Sequence, residues 1–359
     1  MGRLAHRTRL LVTGGAGFIG SAFVRHVRAT TEAQVTVLDK LTYAADPGYR
    51  ERAQDLGVEL VIGDVTDAEL LDELVGRADV VVHFAAETHN DNSLADPRPF
   101  LDTNVVGTFE LLEAVRRHGV HLHHVSTDEV FGDLDLADPE RFTETTPYRP
   151  SSPYSSTKAA SDLLVRAWVR SYGISATLSN CSNNYGPYQH VEKFIPRQIT
   201  NLLLGEPIRL YGTGEQVRDW IHVADHADAV LRVIDAGKAG ETYLIGADGE
   251  RSNLDVARIL LELMVRDEQE LVRVTDRPGH DRRYAIDATR LRSELGWVPA
   301  HASLQDGLAE TVDWYRTHRD WWEGAKAATE AGYARRERVL VPDAAGPGPA
   351  STPPGRGTA

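Results

Sequence analysis

Apolar runs and segments of helical periodicity alternate along the first half of the chain. The runs are short and rich in β-branched residues, which is typical of buried strands; they cover residues 10–13, 35–38, 60–62, 80–84 and 123–126. Segments with apolar residues at helical spacing cover 66–75, where Thr66 or Asp67 is the expected N-cap, 103–118 and 154–172. This alternation predicts an α/β fold, in which helices cover both faces of a doubly wound parallel sheet.

The helices predicted at 103–118 and 154–172 are apolar around more than one face, with Phe109 in the first and Trp168 in the second. Helices of this kind are usually buried on two sides. One side is expected to pack on the sheet. The other side could contact a second copy of the protein or the chain's own second domain, and the pattern alone leaves both explanations open.

After Gly186 the alternation loosens, and proline and glycine become frequent. This change predicts a second, smaller α/β domain at the C-terminal end, built partly from returning segments. We expect a first domain of residues 9–184 with 216–249, and a second of residues 185–215 with 250–335. Residues 343–359 are Ala, Gly, Pro, Ser and Thr with little else, a composition that cannot bury enough apolar surface to become ordered. We therefore expect a disordered tail.

Composition narrows the class of protein. The chain has 359 residues, 42% of them hydrophobic and 26% charged, which is ordinary for a globular enzyme large enough for two domains. The net charge of −14 argues against nucleic acid as the main partner. Cys181 is the only cysteine, which excludes an internal disulfide and favours a reducing compartment, the cytoplasm. No apolar run reaches the roughly 18 residues of a membrane helix, and the basic N-terminus lacks the apolar core of a secretion signal.

The first predicted strand leads directly into a glycine-rich turn. Gly14, Gly17 and Gly20 have the spacing G-x-x-G-x-x-G, one residue longer at the front than the common dinucleotide-binding pattern. The first glycine permits a tight turn, the second lets the backbone approach a pyrophosphate, and the third allows the helix to pack closely on the strand. Asp39 ends the second strand, near the spacing of about 20 residues expected for a carboxylate that binds the adenosine ribose. It favours NAD over NADP, although the adjacent Lys40 weakens this preference.

Two polar clusters are expected at the same edge of the sheet. Thr127, Asp128 and Glu129 directly follow the fifth strand. Adjacent acidic residues are most often a solvated loop, but beside a nucleotide site they are candidates for a paired acid and base. Tyr154 and Lys158 lie at i and i+4 of a predicted helix, where they share a face. The lysine, together with the positive charge of a nicotinamide, would lower the pKa of the tyrosine toward neutrality.

With these motifs in order along the chain, the sequence resembles the extended short-chain dehydrogenase/reductase superfamily and, more closely, the dTDP-glucose 4,6-dehydratases. The resemblance extends from about residue 9 to residue 315. It is carried by Tyr154, Lys158 and segments 13–20, 39–44, 83–87, 126–130, 180–188, 216–220 and 276–281. The Thr-Asp-Glu triplet within 126–130 is the discriminating motif, because related sugar-nucleotide epimerases lack the acidic pair. The resemblance implies a Rossmann-like NAD-binding domain, a smaller domain that binds a sugar nucleotide, and a homodimer.

The resemblance also implies a reaction. dTDP-glucose would be oxidised at C4, lose water across C5 and C6, and be reduced at C6 to give dTDP-4-keto-6-deoxyglucose, with NAD regenerated in place. Tyr154, assisted by Lys158, would take the proton of the C4 hydroxyl, which Thr127 positions. Glu129 would remove the C5 proton while Asp128 protonates the departing C6 hydroxyl. Asp128 must hold a proton at the start, so we expect Glu129 and burial to raise its pKa.

Two sets of binding residues follow from the same resemblance. Cofactor contacts are implied for Gly14, Gly17, Phe18, Ile19, Gly20, Asp39, Lys40, Thr42, Asp64, Val65, Phe84, Ala85, Ala86, Thr103, Tyr154, Lys158 and Asn184. Substrate contacts are implied for Thr88, Asn183, Lys193, Phe194, Tyr211, Arg218, Asn253, Arg277 and His280. The two arginines suit a diphosphate, because guanidinium groups bind phosphate oxygens in a bidentate manner.

Several residues depart from the usual pattern of this family: Asn90, Asn92, Phe131, Arg209 and the pair His190 and Val191. The catalytic motifs are kept, so these departures concern the nucleotide more than the reaction. A dehydratase or epimerase that acts on a UDP- or GDP-sugar is therefore an alternative. A non-catalytic NAD-binding protein is a second alternative, against which the intact tyrosine and lysine argue. No metal is expected, since the histidines show no ligand spacing with carboxylates.

Overall fold

The structure is a computed structural model that describes residues 2–4, 7–276, 279–335 and 337–340. The predicted disordered tail, 343–359, lies outside the described residues. Among the described residues, no helix combines the length and the apolar character that crossing a membrane requires.

The secondary-structure elements alternate as the sequence pattern predicts through the first half of the chain. The strands are β1 (Arg9–Thr13), β2 (Gln34–Asp39), β3 (Glu59–Ile62), β4 (Val80–His83), β5 (His121–Thr127), β6 (Ala176–Cys181), β7 (Asn183–Tyr185), β8 (Ile208–Tyr211), β9 (Val217–His222), β10 (Thr242–Ile245), β11 (Glu250–Ser252) and β12 (Leu271–Val274). The α-helices are α1 (Phe18–Thr30), α2 (Tyr49–Asp55), α3 (Ala68–Gly76), α4 (Asn90–Ala95), α5 (Arg98–Phe100), α6 (Thr108–His118), α7 (Pro153–Tyr172), α8 (Phe194–Leu203), α9 (Val223–Ala236), α10 (Asn253–Leu263), α11 (Thr289–Leu295), α12 (Leu304–Thr317) and α13 (Arg319–Ala334). Shorter helical segments are a π-helix (Leu101–Gly107) and the 3₁₀ turns Asp128–Phe131 and Glu268–Glu270.

Seven strands form one parallel sheet in the order β10-β6-β5-β4-β1-β2-β3. The strand order reverses at β1, which lies between β2 and β4. In open α/β sheets such a reversal leaves a crevice at the carboxyl ends of the strands, and ligands bind there. The prediction of an α/β fold with a doubly wound parallel sheet is confirmed.

Helices cover both faces of this sheet. On one face, α1 and α9 pack together and bury Phe23 and Val230 against the strands. On the other face, α3, α6 and α7 bury Leu71, Leu112 and Val165. The two apolar layers hold the carboxyl ends of the strands in fixed register, which is where the polar motifs of the sequence lie.

Two of the predicted helices agree with the structure to within two residues, and Asp67 caps α3 as expected. The helix predicted at 103–118 differs, because its first part is the π-helix Leu101–Gly107. Within that segment the side chain of Asn104 accepts a hydrogen bond from Glu87 N at 2.9 Å and donates one to Glu87 O at 3.1 Å. This pairing with a neighbouring loop fixes the segment locally, and π-helical turns are common at functional sites. Apolar periodicity could not reveal it.

The chain after β6 adds two small sheets, with the orders β11-β9-β7 and β12-β8. A separate apolar core lies between α8, α10, α12 and α13 and includes Ile199, Leu260, Leu308 and Trp322. The small sheets and this core lie beside the carboxyl edge of the large sheet through β7, which follows β6 directly. The assignment of the chain to two domains stays a prediction.

Candidate active site

The turn after β1 has the geometry expected of its glycines. Gly14 has a φ of +71°, a left-handed conformation that favours glycine, and a Cβ there would lie 2.6 Å from Ala85 N. A Cβ on Gly20 would collide with the carbonyl oxygen of Gly14, so α1 packs closely against the turn. The N-terminus of α1, at Phe18, has no side-chain cap. The N–H groups of its first turn therefore suit a phosphate group.

Asp39 lies at the carboxyl end of β2, next to this turn. Its carboxylate accepts hydrogen bonds from Ala16 N at 3.0 Å and from Leu41 N at 2.8 Å. Burial raises its pKa above the ordinary value, although the two backbone N–H groups act in the opposite direction. The backbone thus holds the carboxylate at the edge of the crevice.

Lys40 is surrounded by acidic and hydroxyl groups. Its Nζ lies 3.2 Å from Thr103 Oγ1, 3.6 Å from Asp64 Oδ2 and 3.4 Å from Glu87 Oε1. Two carboxylates therefore balance its charge. A lysine held in this way attracts an additional phosphate group less strongly than an unpaired one.

One cavity brings together all the residues predicted for the cofactor and for catalysis. The cofactor set that lines it is Gly14, Gly17, Phe18, Ile19, Gly20, Asp39, Lys40, Thr42, Asp64, Val65, Phe84, Ala85, Ala86, Thr103, Tyr154, Lys158 and Asn184. The catalytic set adds Thr127, Asp128 and Glu129. Three predicted substrate residues line it as well: Thr88, Asn183 and Lys193.

Asp128 and Glu129 follow β5 in a 3₁₀ turn that the hydroxyl of Thr127 caps. This hydroxyl accepts a hydrogen bond from Glu129 N at 3.3 Å and donates one to Asp128 Oδ1 at 3.2 Å. Asp128 is fully buried, and its burial and the carboxylates of Glu129 and Asp219 raise its pKa well above the usual value. The predicted rise is confirmed, and Asp219 is an additional cause.

Tyr154 and Lys158 lie in the first turns of α7, and both are buried. Lys158 Nζ donates a hydrogen bond to Val125 O at 2.8 Å. Burial and the charge of Glu129 raise the pKa of Tyr154 well above its ordinary value, while a hydrogen bond with Thr127 acts in the opposite direction. The chain's own groups thus act against the predicted lowering, because burial and nearby carboxylates dominate. The lowering was predicted with the positive charge of a bound nicotinamide, and it stays a prediction.

Asp162 is a buried carboxylate that was not among the predicted residues. It accepts hydrogen bonds from the Tyr148 hydroxyl at 2.9 Å, Asn180 Nδ2 at 3.1 Å and His124 Nε2 at 3.2 Å. Burial acts to raise its pKa, but the hydrogen bond from His124 and the charge of Lys158 hold it below the usual value. Asp162 lies four residues after Lys158 on α7, so the spacing that paired the tyrosine and lysine could have identified it.

Among the described residues, the other predicted substrate contacts do not line this cavity: Phe194, Tyr211, Arg218, Asn253 and His280. Arg277 lies outside the described residues. The rings of Tyr211 and His280 meet edge to face, with centroids 6.1 Å apart. His280 Nδ1 lies 2.7 Å from Asp276 Oδ1. The structure therefore brings two of these residues together beside β8 but leaves the set spread over several elements.

Arg218 is buried among backbone carbonyls and an aromatic ring. Its guanidinium donates to Val217 O at 2.8 Å and to Asp281 O at 3.0 Å, and its carbon lies 4.3 Å from the centroid of the Tyr284 ring. Its role as a diphosphate ligand stays a prediction. The neighbouring Asp219 was not predicted; burial raises its pKa to about 7. Neither composition nor spacing identifies Tyr284 or Asp219 in the sequence, because what distinguishes both residues is their burial.

Three groups from distant positions, His222, His301 and Glu310, hold their ligand atoms within 4.8 Å of one another. The two imidazoles stack, with centroids 3.8 Å apart and planes at 27°. Nitrogen lone pairs lie in the ring planes, so stacked rings do not direct them at one ion. His301 Nδ1 lies 3.1 Å from Asp225 Oδ2, and this hydrogen bond raises the pKa of His301. The geometry favours an ion-paired histidine over a metal ligand set.

Comparisons with known proteins agree with the interpretation drawn from the geometry of the site. The family model described as GDP-mannose 4,6 dehydratase matches residues 11–311. The dTDP-glucose 4,6-dehydratase of Mycobacterium tuberculosis is 63% identical over 331 residues, which cover 91% of this chain and 99% of that protein. The crystal structure of DesIV, a dTDP-glucose 4,6-dehydratase from Streptomyces venezuelae with NAD and TYD bound, is similar with a TM-score of 0.85 and 46% identity, covering 88% of this chain and 99% of that one. The chain belongs to the dTDP-glucose 4,6-dehydratase family.

A UDP-glucose 4-epimerase from Thermotoga maritima, solved with UDP-glucose, shares the fold at lower identity. Its TM-score is 0.80 at 29% identity, covering 86% of this chain and 99% of that one. The similarity across both activities shows that the fold alone does not distinguish dehydration from epimerisation. That the acidic pair after β5 makes the distinction stays a prediction.

The departures from the usual residues of the dTDP-glucose 4,6-dehydratase family lie at different depths. Phe131 is buried and stacks on Phe142, with centroids 5.1 Å apart, so it belongs to the core. Arg209 lies on β8, outside the cavity lining. Asn90 is different, because its Nδ2 lies 3.4 Å from Glu129 Oε2. This departure reaches the residue predicted to act as the base.

Proposed function

We propose that this chain converts dTDP-glucose to dTDP-4-keto-6-deoxyglucose in deoxysugar biosynthesis, using NAD. The observation that carries the proposal is the adjacent pair of carboxyl groups beside Tyr154 in one cavity. Asp128 is fully buried with a raised pKa, whereas Glu129 is half-buried. Elimination of water needs an acid and a base on one substrate at the same time, and two carboxyl groups in different environments can supply both.

The residues of the crevice fit NAD. The glycine turn brings the backbone and the N–H groups of α1 to the surface where a pyrophosphate would lie. Asp39 suits the adenosine ribose, and the balanced charge of Lys40 gives little support to a 2′-phosphate. When bound, NAD supplies a two-electron oxidation that is reversed within each turnover, together with a positive charge near Tyr154.

Proton movements fall to the side chains that the cavity brings together. Tyr154 takes the proton of the C4 hydroxyl, and Thr127, which hydrogen-bonds with Tyr154, positions that oxygen. The 4-ketone acidifies C5, so Glu129 removes the C5 proton. Asp128 gives its proton to the C6 hydroxyl, which leaves as water. A proton returns to C5 in the last step, when C6 is reduced.

The first experiment incubates the purified protein with dTDP-glucose in deuterated water, without added NAD, and follows the product by NMR. We expect a 4-keto-6-deoxy product with deuterium at C5, since Glu129 exchanges its proton with solvent. Product formation from a UDP- or GDP-sugar in place of dTDP-glucose would contradict the proposed substrate and keep the reaction. The absence of turnover with any of the three would contradict the proposal and favour a non-catalytic NAD-binding protein.

We also propose a homodimer that forms through α6, α7 and the π-helix. Phe109, Leu163 and Tyr172 are exposed at 40%, 55% and 57% of their surface, and Phe109 packs edge-on against Trp168 with ring centroids 5.9 Å apart. Large apolar side chains grouped on neighbouring helices are typical of a protein interface. Light scattering should give twice the monomer mass. A monomer mass at working concentration would contradict the proposal.

A reducing compartment, the cytoplasm, is the location we propose. Cys181 is the only cysteine of the chain, it is buried, and burial raises the pKa of its thiol to about 12. Such a thiol is unreactive and needs no oxidising partner. Activity in a membrane or periplasmic fraction after cell fractionation would contradict this location.

A further inference from the structure

Asn90 connects the segment after β4 to the carboxylate of Glu129. It is the first residue of α4, and its Nδ2 lies 3.4 Å from Glu129 Oε2. The amide nitrogen, not the amide oxygen, must face this group, because two acceptor oxygens would repel each other. The contact therefore stabilises the ionised carboxylate more than the neutral carboxylic acid.

The backbone on both sides of Asn90 is held in place. Ser93 Oγ donates to Asn90 O at 2.7 Å, and Ser93 N donates to His89 O at 3.1 Å. The amide of Asn90 is thus presented to Glu129 by a fixed turn, so its position does not depend on a flexible loop.

Within the part of the chain that the structure describes, three titratable groups lie near enough to Glu129 for its charge to act on them, and each comes from a different element. Asp128 precedes it in the same 3₁₀ turn, Tyr154 comes from α7, and Tyr284 comes from the segment before α11. The carboxylate of Glu129 contributes to raising the pKa of each of these three groups. None of the three carries a positive charge. The neutral amide of Asn90 can stabilise the carboxylate of Glu129 by donating a hydrogen bond, and it does so without the large loss of basicity that a lysine or arginine at this position would cause.

We propose that Asn90 is a positioning residue for Glu129, holding its carboxylate ionised and in place to remove the C5 proton of the sugar. The inference rests on the proposed dehydration, because it assigns Glu129 the role of the base. It concerns one proton transfer only. The oxidation at C4 and the binding of the nucleotide use other residues.

The test measures exchange of the C5 proton of dTDP-4-keto-6-deoxyglucose with deuterated water, by NMR, between about pH 5.5 and pH 9. This exchange needs the base but neither oxidation nor loss of water. In Asn90→Val the donor is lost and Glu129 binds a proton more tightly. We expect exchange near pH 6 to fall about tenfold, the acidic limb of the pH profile to move up by about one unit, and the rate near pH 9 to recover.

Asn92→Val is the matched control, since it removes the same amide from the same segment but from a contact with Tyr43. We expect its exchange profile to stay within twofold of the wild type. Asn90→Asp places a second carboxyl group beside Glu129, so its acidic limb should move further than that of Asn90→Val. Thermal unfolding of each variant checks that the chain is folded.

Three results would overturn the inference. An unchanged profile in Asn90→Val would show that the amide does not act on the base. An equal loss of exchange at every pH would indicate a merely structural role. Equal effects in Asn90→Val and Asn92→Val would assign the effect to the segment as a whole. A wild-type protein that neither dehydrates dTDP-glucose nor exchanges C5 would instead contradict the proposed function itself, so the two failures are distinguishable.

Discussion

The cofactor side and the substrate side, meaning the residues predicted to contact each molecule, differ in how the chain builds them. On the cofactor side, most of the predicted residues lie within a few positions of a strand end, and the parallel sheet gathers these ends at one edge. On the substrate side, Tyr211 ends β8, Arg218 lies on β9, and His280 lies in the segment between β12 and α11. Local motifs therefore determine the first side, whereas the second depends on how small sheets and helices pack together.

The two sides also differ in what their donors bind within the protein. The first-turn N–H groups of α1 have no side-chain cap. In contrast, Arg218 donates to two backbone carbonyls, and Lys193 Nζ donates to Thr88 O at 3.2 Å. A diphosphate bound as predicted would have to compete with these acceptors, so each contact on the substrate side would contribute less net binding energy than its charge suggests. We expect substitutions that disturb the chemistry or the glycine turn to have larger effects than those on the substrate side.

The largest effect is expected at the acid, where the two sides meet. In Asp128→Asn the side chain keeps its shape but has no proton to give to the C6 hydroxyl. Dehydration should fall by about 10²- to 10³-fold, measured as kcat by the absorbance of the 4-keto product in alkali. In the wild type, kcat should also fall as pH rises through the raised pKa of Asp128, because the ionised group cannot act as an acid.

Asp135→Asn is the matched control for this acid. Asp135 is an exposed residue a few positions further along the chain, and it pairs with Arg282 at 2.7 Å. Its substitution should leave kcat unchanged. Full dehydration rates in Asp128→Asn would contradict the assignment of the acid.

An intermediate effect is expected at the glycine turn. Gly20→Ala forces a Cβ against the carbonyl oxygen of Gly14, so α1 must shift away from β1. We expect the free energy of unfolding to fall by about 1–3 kcal/mol and the amount of NAD that copurifies to fall with it. Denaturant unfolding and absorbance of the released cofactor measure the two quantities.

Gly324→Ala is the matched control for Gly20→Ala. Gly324 lies inside α13, and a Cβ there meets nothing within 4 Å. Alanine at this position should stabilise the helix by up to about 1 kcal/mol and leave the NAD content unchanged. Equal effects of the two substitutions would contradict the close packing of α1 on the turn.

The same contrast explains which features could be predicted from the sequence. The positions of β1 to β5, the turn at Gly14 and the carboxylate of Asp39 were predictable, because each depends on residues near one another in the chain and on the period of a strand or helix. The strands from β6 onward were not predicted. The rise in the Asp128 pKa was predictable in direction from its acidic neighbour. These features need only the assumption that the strands are parallel.

Other features depend on tertiary contacts that the sequence pattern does not reveal. The π-helix at Leu101–Gly107 accompanies the pairing of Asn104 with the loop at Glu87. Among the chain's own groups, burial is the largest cause that raises the pKa of Tyr154, and the degree of burial cannot be read from a motif of five residues. The stacking of His222 on His301 joins positions far apart in the chain. Each of these features is set by tertiary packing.

The smallest effect is expected on the substrate side, where Arg218 tests whether a buried arginine binds the diphosphate. Lysine keeps the charge but cannot donate to both Val217 O and Asp281 O while packing flat on Tyr284. In Arg218→Lys we expect KM for dTDP-glucose to rise about tenfold while kcat stays within twofold, measured by steady-state kinetics. The residue opposite it across the β9–β11 pair, Arg251, is exposed, so Arg251→Lys should leave both constants unchanged.

The outcome of this substitution decides how the substrate side is built. A rise in KM without a loss of thermal stability would mean that Arg218 exchanges backbone acceptors for phosphate oxygens when the substrate binds. A lower unfolding temperature with an unchanged KM would mean that Arg218 serves the packing of β9 against Tyr284 and that other residues hold the diphosphate. In that case the substrate side would differ from the cofactor side in kind, because its charged residues would support the fold and leave recognition to the groups that line the cavity, Thr88, Asn183 and Lys193.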